Sequence, residues 1–151
     1  VALTPLSSDQ EAAIARLVSA RRVEQVPADL NRASVFLEQA ENTLADIENV
    51  TIAQNKYSLA YNAGHAAGQA LLAAYGYRTT NQAGHHAALI RFIGIVLSEA
   101  DDGEAVNQLE RMRRARNRFQ YEAGVLPEAE AVVAAATARH IVAAVRDRGI
   151  E

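Results

Sequence analysis

Apolar residues recur along this chain at intervals of three and four, and the two-residue alternation of a half-buried strand is absent. That spacing puts side chains on one face of an α-helix, and abundant alanine favours the same conformation. Helices are therefore expected throughout. The clearest seam is Leu30, Ala33, Leu37, Ala40, Leu44 and Ile47, in a helix from about Ala28 to Ile47 opened by Pro27 or Asp29. Ahead of it, Ile14, Leu17 and Val18 give a thin apolar edge to a short helix over roughly 9–22, capped by Ser8 and Asp9. A turn is expected from Val23 to Pro27.

The third helix runs from about Asn55 to Tyr75, with an inner stripe of Leu59, Ala63, Ala67, Ala70, Leu71 and Ala74. Ala60, Gly64 and Gly68 repeat a small residue every four positions. Each glycine costs about 1 kcal/mol inside a helix, so a close neighbour must offset it, either another helix of the bundle or a second subunit. Gly76 closes this helix, and Tyr77 to Asn81 reads as a loop. A helix opening at His85 and ending near Leu97 follows, then an acidic loop, in which Asp101 and Asp102 read as a solubilising turn. The next helix spans about Glu104 to Tyr121, and the last runs from near Pro127 to Arg146, its end charges suiting the helix dipole. The fold class is all-α: an up-down antiparallel four-helix bundle, with a short N-terminal helix and a further helix packed at the C-terminal end. Residues 1–27 form the N-terminal helix and turn, and 28–151 the bundle.

Composition narrows the function classes. The 151 residues suit one domain that can bury roughly two thirds of its unfolded surface. There is no cysteine, which excludes disulfides and thiolate metal sites and fits a reducing, cytoplasmic setting. No apolar run approaches the length of a membrane span, and Val1–Pro5 lacks the features of a signal peptide. A net charge of −3 argues against a dominant nucleic-acid footprint, but the charge is uneven. Five arginines fall in the eight positions from Arg111 to Arg118. A local basic strip of this kind suits RNA or phosphate; the alternative is a solvated helix face.

Within that strip Leu109, Met112, Arg116 and Phe119 follow core-facing spacing, so an arginine occupies the buried stripe. Arg111, Arg114 and Arg118 point towards the opposite side. An unpaired buried guanidinium costs several kcal/mol. Arg116 therefore has either a carboxylate partner or a wet cleft, and Glu38 and Glu41 are candidate partners for it or for Arg113. Arg113, Arg116 and Asn117 share a flank at i, i+3 and i+4, a grouping able to grip a phosphodiester. Tyr121 lies about 140° round the helix from Arg116 and joins that group only if the helix ends or kinks, or if a second subunit supplies the partner. Of the four histidines, His85 and His86 are expected as capping or interface residues and His65 as a structural hydrogen-bonding residue, with His140 a full helix away from the arginines. Adjacent histidines diverge by about 100° on a helix, so no metal site and no cofactor are expected.

Three stretches together resemble the HEPN superfamily of small helical bundles. Tyr61–Arg78 looks like that family's second helix and following loop, Gly84-His85-His86 like the start of its third, and Arg116-Asn117-Arg118-Phe119-Gln120-Tyr121 sits where the family carries its Arg-x4-6-His motif. Val26-Pro27-Ala28-Asp29 fits a bacterial branch with an extra N-terminal helix. The resemblance implies a homodimer, and in many members a metal-independent RNase, some of them toxins paired with a nucleotidyltransferase antitoxin. It carries over Arg116 and Asn117 as site residues; Arg113, Arg114 and Arg118 are the ligand-binding candidates of the arginine strip. The motif histidine is replaced by Tyr121. A tyrosine, with an ordinary pKa near 10, is a poor general base at neutral pH, and no other histidine is expected within reach. The expected function is thus a non-catalytic or weakly catalytic dimer that binds RNA, a nucleotide or a partner protein. A toxin-like RNase using Tyr121 is the first alternative, and a purely structural bundle with ion-paired arginines the second.

Overall fold

The computed structural model describes residues 2–121 and 125–151, and for 117–121 the backbone alone. Six helices are described: α1 (Ser8–Ser19), α2 (Leu30–Ile47), α3 (Ala53–Tyr75), α4 (His85–Val96), α5 (Asp102–Tyr121) and α6 (Glu128–Asp147). Two three-residue strands, β1 (Val23–Gln25) and β2 (Tyr77–Thr79), pair antiparallel. The all-α expectation holds, and the small sheet replaces the turn expected at Val23–Pro27 and part of the loop expected at Tyr77–Asn81. Three residues are too few for an alternation to be read in sequence. The strands pair in the segments that follow α1 and α3, and Glu24 and Arg78, opposite each other in the register, form an exposed ion pair.

α3 is the hub. It lies along α2 and α6 and also packs on α4 and α5, so residues on nearly every side of it are buried. Its glycines make that closeness possible. A Cβ on Gly64 would stand 2.8 Å from Leu109 Cδ1 of α5, and one on Gly68 2.8 Å from Ile93 Cδ1 of α4. The small-residue stripe therefore faces the chain's own bundle. At the end of α3, Gly76 adopts φ +83°, a left-handed conformation that favours glycine. A side chain there would also meet the Val26 carbonyl oxygen at 2.7 Å, where the chain leading to α2 crosses.

Helix ends show which polar residues cap and which do not. α1 is capped by Ser7 rather than by Ser8 or Asp9. Ser7 Oγ accepts from the Gln10 backbone N–H at 3.1 Å, and Gln10 Oε1 accepts from the Ser7 N–H at 2.8 Å, a reciprocal capping box. Asp29 caps α2 by accepting from Arg32 N–H at 2.9 Å. The Asp101–Asp102 pair is not simply a solubilising turn: Asp102 begins α5 and is 5% exposed. Its Oδ2 accepts from the Glu99 N–H at 3.0 Å, and its Oδ1 lies 2.8 Å from His140 Nε2 on α6. Among the described residues, no helix is long and apolar enough to cross a membrane.

Candidate functional site

The arginine-bearing helix meets the rest of the bundle through Leu109 and Met112, both fully buried against the core. One turn on, the same stripe presents Arg116, as its spacing requires, and Arg116 is half-buried. Among the described residues no carboxylate pairs with it. Its guanidinium carbon instead sits 5.1 Å from the centroid of the Tyr61 ring on α3, a cation–π contact. Among the described residues an aromatic face, and not a carboxylate, meets this guanidinium. Glu38 is exposed and Glu41 pairs with Arg146, so neither serves Arg113 or Arg116. The carboxylate that matters lies on α5 itself. Glu110 accepts from Arg113 Nε at 3.0 Å and Nη2 at 2.6 Å, and from Arg114 Nε at 3.1 Å. These charge-assisted bonds, above all those from Arg113, hold the Glu110 carboxyl below the ordinary range and raise the Arg113 guanidinium. Arg111 is exposed and bonds Gln108 Oε1 at 2.9 Å. Arg111 and Arg114 do lie on the solvent side, while the side chains of Asn117, Arg118 and Tyr121 lie outside the described residues. The backbone is helical through Tyr121, so α5 does not end between Arg116 and Tyr121.

Three histidines gather at this place, contrary to the expectation that none lies within reach of Arg116. Tyr61 Oη and His86 Nδ1 are 3.1 Å apart. The His86 ring lies 4.6 Å from that of His65 and 4.5 Å from that of His85, centroid to centroid. The row runs from solvent inwards: His85 is exposed, His86 half-buried, and His65 Nε2 is buried with no hydrogen-bond partner. His65 is thus not the satisfied structural residue expected. His86 is neither a cap nor a free surface group, because Gly84 opens α4 without any side-chain cap bond and His86 turns to Tyr61. The divergence of adjacent histidines on a helix still operates: it sends one of the pair towards α3 and leaves the other in water. Among the described residues no group of three or more histidines and carboxylates is arranged to hold a metal ion.

The cluster is electrostatically one-sided. Burial pushes the Tyr61 hydroxyl up to about 12, against the opposing pull of Arg116 and Arg113. Burial lowers His65 to about 4, helped by the positive charge of His86, His85 and Arg116. His86 is also held below its ordinary value, by burial first and then by His85, Arg116 and Arg113. Neutral imidazoles beside permanent guanidinium charge make a place that favours an anion and still has groups able to accept a proton. Alongside, α4 and α5 enclose a groove of about 560 Å³ whose lining includes Ala87, Arg91, Glu110, Arg113 and Arg114. It carries three arginines, Arg91, Arg113 and Arg114, along its walls.

A family model for the HEPN domain matches residues 33–148. The chain belongs to the HEPN domain family. The matched span takes in α3, α4 and α5, so every residue of the Tyr61–His86–Arg116 cluster lies inside this HEPN domain. No curated protein and no solved structure matches the chain. The cluster had a partial signature in the sequence: Tyr61 and His65, four residues apart, share a face of one helix. What the sequence lacked was the docking of α4 that brings His86 to that face.

Proposed function

We propose that this HEPN domain binds RNA, taking a phosphodiester at Arg116 and acting as a homodimer. The observation that carries this reading is that Arg116 is half-buried against Tyr61, without a carboxylate partner among the described residues. A guanidinium held on an aromatic face keeps its hydrogen-bond donors for an incoming anion, and arginine binds phosphate oxygens bidentately. Arg113 and Arg114 share Glu110 and contribute less charge than their number suggests. Together with Arg91 they give the α4–α5 groove the character of a track for the adjoining backbone. Asn117, Arg118 and Tyr121 complete the proposed set by their place on the same helix.

The test is fluorescence anisotropy of a labelled single-stranded RNA against salt. Binding by the wild type should fall steeply as salt rises, with a slope near −0.7 for each phosphate contact. Arg116→Gln should weaken binding about tenfold and reduce that slope by about one contact. Unchanged affinity in the variant would rule out Arg116 as the anion site. Sedimentation at micromolar protein reads the dimer, and a monomer under the conditions of tight binding would remove that part of the proposal.

A further inference from the structure

The α4–α5 groove holds more than arginines. Part of its lining is apolar, with the buried side chains of Ile90 and Val106 and the bare backbone of Gly94. Its polar groups stand on opposite walls, Arg91 on α4 and Asn107 and Glu110 on α5. A site for phosphate alone has no use for Glu110, because a carboxylate repels phosphate. Nor is Glu110 used up by its neighbours. It accepts two bonds on Oε1, from Arg113 Nη2 and Arg114 Nε, and one on Oε2, from Arg113 Nε. A carboxylate has about four lone-pair sites, so Oε2 retains one for the N–H of a ligand. The same arginine bonds keep the carboxyl ionised, and an ionised carboxyl accepts without donating. Asn107 stands one turn earlier on α5 and is exposed. Like Arg91 on the facing wall, it makes no hydrogen bond or ion pair among the described residues.

An apolar groove with an arginine fork on one wall and acceptors on the other suits a nucleobase. Guanine alone among the RNA bases has two adjacent acceptors on one edge, O6 and N7, and two adjacent donors on another, N1–H and N2–H. We propose that the α4–α5 groove is a guanine-reading subsite for the strand whose phosphodiester Arg116 binds, with Arg91 donating to O6 and N7, Glu110 accepting from N1–H and Asn107 Oδ1 accepting from N2–H. The inference rests on the RNA-binding reading above and adds a base preference to it. Arginine meets O6 and N7 of guanine bidentately, which a point charge does not do. Adenine and cytosine carry a ring-nitrogen acceptor beside the amino group, and that acceptor would face the Glu110 carboxylate. Uracil has a single N–H to offer. Arg113 and Arg114, both tied to Glu110, hold the acceptor in place and keep their charge for the adjoining backbone.

The experiment measures anisotropy of labelled single-stranded RNA with the whole chain. One strand is uridine throughout, and the others carry guanosine, adenosine or cytidine at the same central position. The guanosine strand should bind about tenfold tighter than the uridine strand, the size of a good bidentate base contact. Inosine, which lacks the N2 amino group, should remove about fivefold of that preference, and 7-deazaguanosine, which lacks N7, about as much. These analogues act on the unaltered protein, so folding of a variant does not enter. Asn107→Ala, and Arg91→Lys, which keeps the charge and loses the fork, should each lower the ratio of guanosine to uridine affinity by about fivefold. Equal affinity for the guanosine and uridine strands, or a preference for adenosine or cytidine, would overturn the guanine subsite and leave the RNA-binding reading standing. A guanosine preference undiminished in both analogues, or in both variants, would overturn it as well. Absence of binding to every strand would remove both readings.

Discussion

Replacing His65 by glutamine should flatten the acid side of this protein's stability curve. In the fold the His65 imidazole is lowered from 6.5 to about 4, chiefly by burial, with the charges of His86, His85 and Arg116 adding to the effect. The unfolded chain binds a proton at this residue below about pH 6.5, whereas the folded chain resists it until about pH 4. Stability is therefore fully present above pH 6.5 and declines as pH falls through the window between those values. The slope is about 1.4 kcal/mol per pH unit while the two states differ by one proton. From pH 8 to pH 5 the loss assigned to His65 is about 2 kcal/mol, and it approaches about 3 kcal/mol at pH 4, upper figures because part of the ring's edge meets water. For a domain of this size about 2 kcal/mol is a drop in Tm of roughly 4–8 °C. The assay is thermal or urea unfolding of wild type and His65→Gln at pH 8, 7, 6 and 5. The difference between the two proteins should change by about 2 kcal/mol across the series, in favour of the variant at low pH. Parallel curves would show that His65 is not held neutral in the fold, and the account of the histidine row as a desolvated group would fail.

Two further substitutions probe the packing that builds the site. Gly68→Ala places a methyl 2.8 Å from Ile93 Cδ1 and also against Leu89, so overpacking should outweigh the helix-propensity gain and lower stability by about 1–2 kcal/mol, measured by urea unfolding; a stabilised variant would contradict the close approach of α3 and α4. Asp102→Ala removes the acceptor for both the Glu99 N–H and His140 at the start of α5, and should cost about 1–3 kcal/mol, whereas Asp102→Asn keeps one of the two bonds and should cost less. Equal stability of all three proteins in the same unfolding series would show that the Asp102–His140 contact does not hold α5 to α6.

The sequence by itself determined the helices, because each buries a stripe and a stripe is a local pattern. The seam from Ala33 to Ile47 and the close of α3 at Gly76 needed only spacing and the left-handed preference of glycine, whereas Leu30, expected to open that seam, is exposed. Arg116 also stood out locally, as a charge on an apolar stripe. Its partner did not, since an ion pair and an aromatic face satisfy the same position, and only the docking of α5 on α3 decided for Tyr61. Glu110 differs, because its arginine partners stand three and four positions along its own helix and the pairing is local. The paired strands and the buried Asp102 depend on contacts across long sequence separations, where a three-residue segment or a single acid carries no periodic signal. His65 and His86 are 21 positions apart and belong to different helices, so nothing local marks them as neighbours. Their meeting is set by Gly64 and Gly68, which let α5 and α4 approach α3 closely enough for the histidines, Tyr61 and Arg116 to share one place.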